Sequence, residues 1–206
     1  MADTWIKFCG CSAWSEVEMA ISAGADAFGM IFAPSPRQIS FEAAQRIAEQ
    51  LSGPIQPVAV FVNPARGEVR AVRELFPSAL VQFSGNESPE FVADYGERAI
   101  KAIHVDESGG GGVAEAAGEF PYALLLLDAR HGDLAGGTGK VFPWQHAVAI
   151  AQQRRTIVAG GLTAGNVAAC VRSVHPFGVD VRSGIETNGR KDLAKMRAFV
   201  AAVRAA

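Results

Sequence analysis

Short apolar runs alternate with longer amphipathic ones along the whole chain. The short runs are TWIKFC, DAFGMIF, QPVAVFV, ALVQF, AIKAIHV, YALLLLD, RTIVAG and GVDVRS. Most are bounded by Gly, Pro, Ser or Asp, which is how a strand buried on both faces reads. The stretches between them carry helix signals. SEVEMAISAG has Ser15 as a candidate N-cap and Gly24 as a C-cap, and SFEAAQRIAEQLSG has Ser40 and Gly53 in the same places. RGEVRAVRELFP, SPEFVADYG, GVAEAAGEF, FPWQHAVAIAQQ, TAGNVAACVRSV and RKDLAKMRAFVAAVRA follow.

The pattern predicts eight strand–helix units. Spread over 206 residues, each has roughly 26, enough for a short βα pair. Eight such units point to an α/β fold of the (β/α)8 TIM-barrel type, expected as a single domain over residues 1–206. The chain is shorter than the roughly 250 residues typical of that fold, so its loops must be tight. The competing architecture is an open doubly wound sheet. It calls for a Gly-rich turn after the first strand, and CGCSAWSE does not match one.

Composition narrows the partners. Hydrophobic residues make up 49% of the chain and charged ones 19%, which excludes a disordered polymer. The net charge is −2 with no long run of one sign, so no footprint for nucleic acid or an anionic membrane is expected. The longest apolar run, YALLLL, stops at Asp128, far short of a membrane span. MADTWIKFCG lacks the basic-then-apolar layout of a secretion signal. Three cysteines without such a signal imply reduced thiols in a cytoplasm. Cys9 and Cys11 are spaced C-x-C, which suits neither a zinc site nor a thioredoxin-type pair. No histidine pair has metal-ligand spacing: His104 is placed to face a site, while His131, His146 and His175 read as loop or helix-surface residues.

In a barrel of this kind the chemistry sits at the carboxyl ends of the strands. The first strand ends in Cys9 and Gly10, the fifth in His104 and Asp106, the sixth in Asp128. Asp128 emerges from four consecutive leucines; partial desolvation raises a carboxyl pKa and suits it to donate a proton. Cys9 reads either as a small buried hydrophobe or as a proton-accepting thiolate, with Lys7 on the same face of its strand. Cys11 and Cys170 read as packing. Arg37, after the second strand, is a natural bidentate partner for a carboxylate or a solvated charge. AGGL and RSGIE, after strands seven and eight, read as anion cradles, each expected to lead into a helix, the first near Thr163. GGTGK is not a nucleotide-phosphate loop, because Leu134 and Val141 occupy positions that motif needs as Gly and Ser/Thr.

Taken in order, KFCG, GADAFGMIFAPSPRQIS, VAVFVN, VQFSG, LLLLDA, GGTGKVFPW, AGGLTAGNV and GVDVRSGIE with GRKD resemble the phosphoribosylanthranilate isomerases of tryptophan biosynthesis over nearly the whole chain. The resemblance implies a cofactor-free and metal-free barrel that converts N-(5′-phosphoribosyl)anthranilate into 1-(o-carboxyphenylamino)-1-deoxyribulose 5-phosphate by an Amadori rearrangement. It implies Asp128 as general acid, Cys9 as general base and Arg37 on the anthranilate carboxylate. It also implies the backbones at Gly160, Gly161, Ser183 and Gly184 around the phosphate, with Asp180 nearby and Lys7 in the binding set. Its partner is a small phosphosugar, and the chain is expected to be unfused and to act as a monomer or homodimer. Four positions depart from the family pattern: Phe8, Ser84 where a histidine is usual, Pro143 where an aspartate is usual, and Arg182 where a small residue is common. The alternative is a non-catalytic or respecialised phosphosugar-binding barrel.

Overall fold

The computed structural model describes residues 3–105, 112–129 and 143–206. Eight parallel strands close into a barrel in sequence order, with the last pairing with the first. They are β1 (Trp5–Cys9), β2 (Ala27–Ile31), β3 (Gln56–Phe61), β4 (Leu80–Phe83), β5 (Ala99–Val105), β6 (Leu124–Ala129), β7 (Thr156–Val158) and β8 (Gly178–Val181). Helices alternate with them: α1 (Trp14–Ala23), α2 (Phe41–Gln50), α3 (Arg66–Leu75), α4 (Pro89–Ala93), α5 (Val113–Gly118), α6 (Gln145–Gln153), α7 (Val167–Val174) and α8 (Leu193–Arg204). All eight apolar runs are strands, because a parallel strand sandwiched between barrel interior and helices has no wet face.

The helix ends follow local chemistry more closely than the sequence pattern does. Ser40 caps α2, its Oγ accepting from the Ala43 N–H at 3.2 Å. Gly24 closes α1 in the left-handed conformation, φ 86°. Ser15, in contrast, lies inside α1. That helix starts one residue earlier, after Ala13, and the Glu16 carboxylate reaches back to the Ser12 N–H at 2.7 Å. Gly53 lies beyond the end of α2, where Leu51 takes the cap position. At the carboxyl end, Arg190 and Lys191 do not start a helix. They form a short strand, β10 (Arg190–Lys191), antiparallel to β9 (Glu186–Thr187). Asn188 and Gly189, both at positive φ (52° and 74°), make the two-residue turn between them. Helix α8 begins after Asp192, whose carboxylate accepts from the Ala194 and Lys195 N–H groups.

Side chains alternate across each strand. The outward set, including Ile6, Phe8, Phe28, Met30, Phe83, Leu125 and Val179, packs under the helices as one core. Phe199 of α8 meets Phe8 edge-on with ring centroids 6.1 Å apart. The inward set starts at the amino-terminal end with an apolar floor of Ala27, Val58, Ile100, Leu126 and Ile157. Toward the carboxyl ends of the strands it turns polar, and that change of character positions the site. No helix among the described residues is long and apolar enough to cross a membrane.

Candidate active site

Strand β1 delivers two titratable side chains to the interior. Lys7 is wholly buried, and its Nζ lies 2.9 Å from Asp180 Oδ2 on β8, the residue beside it in strand register. Asp180 Oδ1 is buried and has no hydrogen-bond partner among the described residues. Cys9 stands one layer higher, at the strand end, 7% exposed. Gly29 on β2 makes room for both. A Cβ there would fall 3.0 Å from Lys7 Cε and 3.2 Å from Cys9 Sγ. Burial pushes the Cys9 thiol above its ordinary range, and the Lys7 ammonium pulls against that shift. For Lys7, burial works downward, yet Asp180 and Cys9 together hold its pKa raised. Lys7 is thus a buried cation beside the thiol, paired with Asp180.

Gly10 follows in the left-handed conformation, φ 77°, and the space a side chain would fill goes to two arginines. A Cβ at Gly10 would lie 3.1 Å from Arg37 Cδ and 3.6 Å from Arg182 Cδ. Arg37 therefore folds back over the end of β1. Its Nε donates to Glu186 Oε1 at 2.8 Å and its Nη2 donates to Glu186 Oε2. Glu186 also takes a bond from Lys191 Nζ at 2.9 Å, and Lys191 Nζ donates in turn to the Cys9 carbonyl at 2.6 Å. Burial works to raise the Glu186 carboxyl, but Arg37 and Lys191 hold it below its usual range. Neither Glu186 nor Lys191 stood among the site residues read from the sequence.

On the far side of the barrel, Asp128 shares the inward parity of Leu126 and lies at the carboxyl end of β6. A Cβ at Gly160 would come 2.9 Å from its Oδ1, so the loop after β7 passes close against this carboxylate. His104 pairs in register with Asp128 from β5 and is exposed at the mouth, its Nε2 3.3 Å from the Ser84 carbonyl. Gln82, nearly buried inside β4, donates from Nε2 to Ser84 Oγ at 3.1 Å, and its Oε1 has no partner among the described residues. Sequence reasoning passed over Gln82 because one glutamine in an apolar strand carries no spacing signal.

The two predicted cradles meet each other. Gly160 and Gly161 both have positive φ (86° and 64°), and a Cβ on Gly184 would collide with the Leu162 carbonyl oxygen. The elements after them differ from expectation. Helix α7 starts at Val167 rather than near Thr163; Asn166 organises the turn before it, its Oδ1 accepting from the Thr163 N–H and its Nδ2 donating to the Gly161 carbonyl. RSGIE leads into a single 3-10 turn, Ser183–Ile185, and then the β9–β10 hairpin, not into an α-helix. Cys11 and Cys170 are packing residues, as expected, and burial pushes both thiols up to about 12. Asp106, His131, Leu134, GGTGK and Gly109–Gly111 lie outside the described residues.

Residues 6–202 match the family model of N-(5′-phosphoribosyl)anthranilate (PRA) isomerase. This chain belongs to that family. The N-(5′-phosphoribosyl)anthranilate isomerase of Desulforudis audaxviator is 40% identical over 205 residues, covering 98% of this chain and 99% of the relative. That of Nitrosococcus oceani is 40% identical over 203 residues, with 97% of each chain covered. The crystal structure of the Thermotoga maritima isomerase superposes with a TM-score of 0.87 at 31% identity, covering 98% of this chain and 100% of that one. A PRA isomerase solved in complex with reduced 1-(o-carboxyphenylamino)-1-deoxyribulose 5-phosphate superposes with a TM-score of 0.83 at 30% identity, over 98% and 100% of the two chains. As a PRA isomerase the chain is an enzyme of tryptophan biosynthesis with a closed eight-stranded barrel. Two departures from the family pattern sit at the mouth: Ser84 lies beside His104, and Arg182 lies over Gly10 next to Arg37.

Proposed function

We propose that this chain converts N-(5′-phosphoribosyl)anthranilate into 1-(o-carboxyphenylamino)-1-deoxyribulose 5-phosphate by general acid–base catalysis, with Asp128 as the acid and Cys9 as the base. The observation that carries the assignment of roles is the placement of these two groups. They are inward-facing at the carboxyl ends of strands on different sides of one barrel mouth, so both reach a single sugar between them. Asp128 protonates the furanose ring oxygen, and the ring opens to a Schiff base. Cys9 then removes the proton from C2′, giving an enolamine that tautomerises to the ketone. The base must be a thiolate to act; burial raises the Cys9 thiol, and the buried Lys7 ammonium offsets part of that rise. Arg37 holds the anthranilate carboxylate. Asp180 Oδ1, a buried acceptor with no partner among the described residues, is the acceptor nearest Lys7 that a sugar hydroxyl would meet. The backbones at Gly160, Gly161, Ser183 and Gly184 surround the phosphate, where two small-residue loops pack closely and stay at least partly exposed.

Turnover of freshly made substrate by the purified chain, without added metal or cofactor and followed by loss of anthranilate fluorescence, tests this reading. Binding without turnover would replace it by a non-catalytic phosphosugar-binding barrel. The phosphate assignment has its own test. Gly184→Ala drives a methyl into the Leu162 carbonyl and separates the two loops. We expect KM to rise at least about tenfold, roughly 1.4 kcal/mol, with a smaller change in kcat. An unchanged KM would move the phosphate elsewhere. The three cysteines are free thiols, in keeping with action in a reducing cytoplasm, and sedimentation of the purified chain decides between monomer and homodimer.

A further inference from the structure

We propose that the β9–β10 hairpin is a clasp: Glu186 aims Arg37 at the anthranilate carboxylate, and Lys191 locks that clamp to the strand end that carries Cys9. The inference rests on the proposed role of Arg37 and deepens it.

A guanidinium has five N–H groups arranged as a fork, and its two edges are each able to bind a carboxylate side by side. Glu186 occupies one edge, taking Nε–H and one hydrogen of Nη2. That leaves the other edge, Nη1 with the second hydrogen of Nη2, to meet a second carboxylate in the same plane. Arg37 is on a loop, between β2 and α2, and its side chain is 23% exposed. Without Glu186 it would sample many rotamers, and ordering it would fall on the binding step.

Glu186 alone would cancel the charge it positions. Lys191 prevents this. Strand pairing sets Lys191 opposite Glu186, both side chains almost wholly buried, so Arg37, Glu186 and Lys191 together keep one net positive charge. The hairpin itself is held rigid. Lys195 Nζ donates to the Glu186 carbonyl at 2.7 Å, and Thr187 Oγ1 bonds Asp192 Oδ2 at 2.7 Å. Lys191 then spends a further donor on the Cys9 carbonyl. The clamp for one end of the substrate and the base for its C2′ proton thereby share one frame, and positioning of that kind is worth large factors in rate.

The test uses two inhibitors: reduced 1-(o-carboxyphenylamino)-1-deoxyribulose 5-phosphate, and the same compound without its carboxyl group. Their dissociation constants are measured by calorimetry on the wild-type chain, Glu186→Gln, Glu186→Asp and Arg37→Ala. We expect Glu186→Gln to weaken the carboxylated inhibitor at least about tenfold and the carboxyl-free one less than about twofold. Its KM should rise more than its kcat falls. Glu186→Asp keeps the charge at shorter reach and should recover part of the loss. An equal loss for both inhibitors, or none, in Glu186→Gln overturns the clasp. If that variant does not fold, the same comparison on Glu186→Asp decides. Failure of the underlying Arg37 assignment looks different: Arg37→Ala would then weaken the two inhibitors alike. Lys191→Met adds an independent readout. It should lower kcat as well as raise KM, and a change in KM alone would confine the clasp to the carboxylate.

Discussion

Cys9→Ala and Asp128→Asn each lower kcat by at least about 10²-fold, the lower end of what one general acid or base contributes. Asp128→Asn keeps the side-chain shape and Cys9→Ala removes a single atom, so the loss is chemical rather than structural. The Cys9 side chain packs against Gly29 and Lys7 at the top of the barrel interior, and removing one sulfur there leaves the floor of Ala27, Val58 and Leu126 intact. Single-turnover rates and the affinity for the reduced product analogue separate the two effects. Affinity should stay within a fewfold of wild type while turnover collapses. Near-normal turnover in Cys9→Ala would return the thiol to the role of a packing atom, and the same result in Asp128→Asn would leave ring opening without an acid.

Lys7→Met is expected to cost the most stability. Lys7 and Asp180 are buried together in the interior, 0% and 8% exposed by side chain. Removing one partner of a buried pair leaves an uncompensated charge, which typically costs about 3–5 kcal/mol. For a chain of this size that lowers Tm by roughly 10 °C. The folded-state pKa of Lys7 is raised, so its contribution is complete below the ordinary lysine value and is lost only as pH rises through the raised one. Melting near neutral pH therefore reads the full effect. Lys7→Met with Asp180→Leu should recover much of the loss, since an apolar pair can replace a buried ion pair at little cost. In any active Lys7→Met preparation the acidic limb of the rate profile should move to higher pH, because the thiolate loses its nearest cation. A melt unchanged from wild type would show that water reaches Asp180.

The barrel was legible because the strands are mostly buried on both faces, so each of the eight appears as an apolar run, most of them ending in a turn former. Which strands touch was legible only through closure. Nothing near Asp180 in the sequence names Lys7 as its partner; that pairing exists because β8 lies beside β1. The resemblance places Asp180 near the phosphate; the structure adds its ion pair with Lys7. The hairpin was misread as the start of a helix because Arg190 and Lys191 run directly into the amphipathic pattern of α8. Asn188–Gly189 was the missed signal, a dipeptide that favours a two-residue hairpin turn, and it stands between Glu186 and Lys191. Side chains that act through another residue, as Glu186 does through Arg37, look in sequence like any solvated charge.

The contact between Lys191 and the Cys9 carbonyl spans 182 residues of chain. During synthesis the ribosome delivers the thiol 182 residues before its anchor. The strand that carries Cys9 must therefore wait, with its edge unpaired, until β8 and the hairpin emerge. Assembly of the site is then a late event, and a nascent chain stopped before residue 186 would hold the thiol and the acid without the frame that relates them.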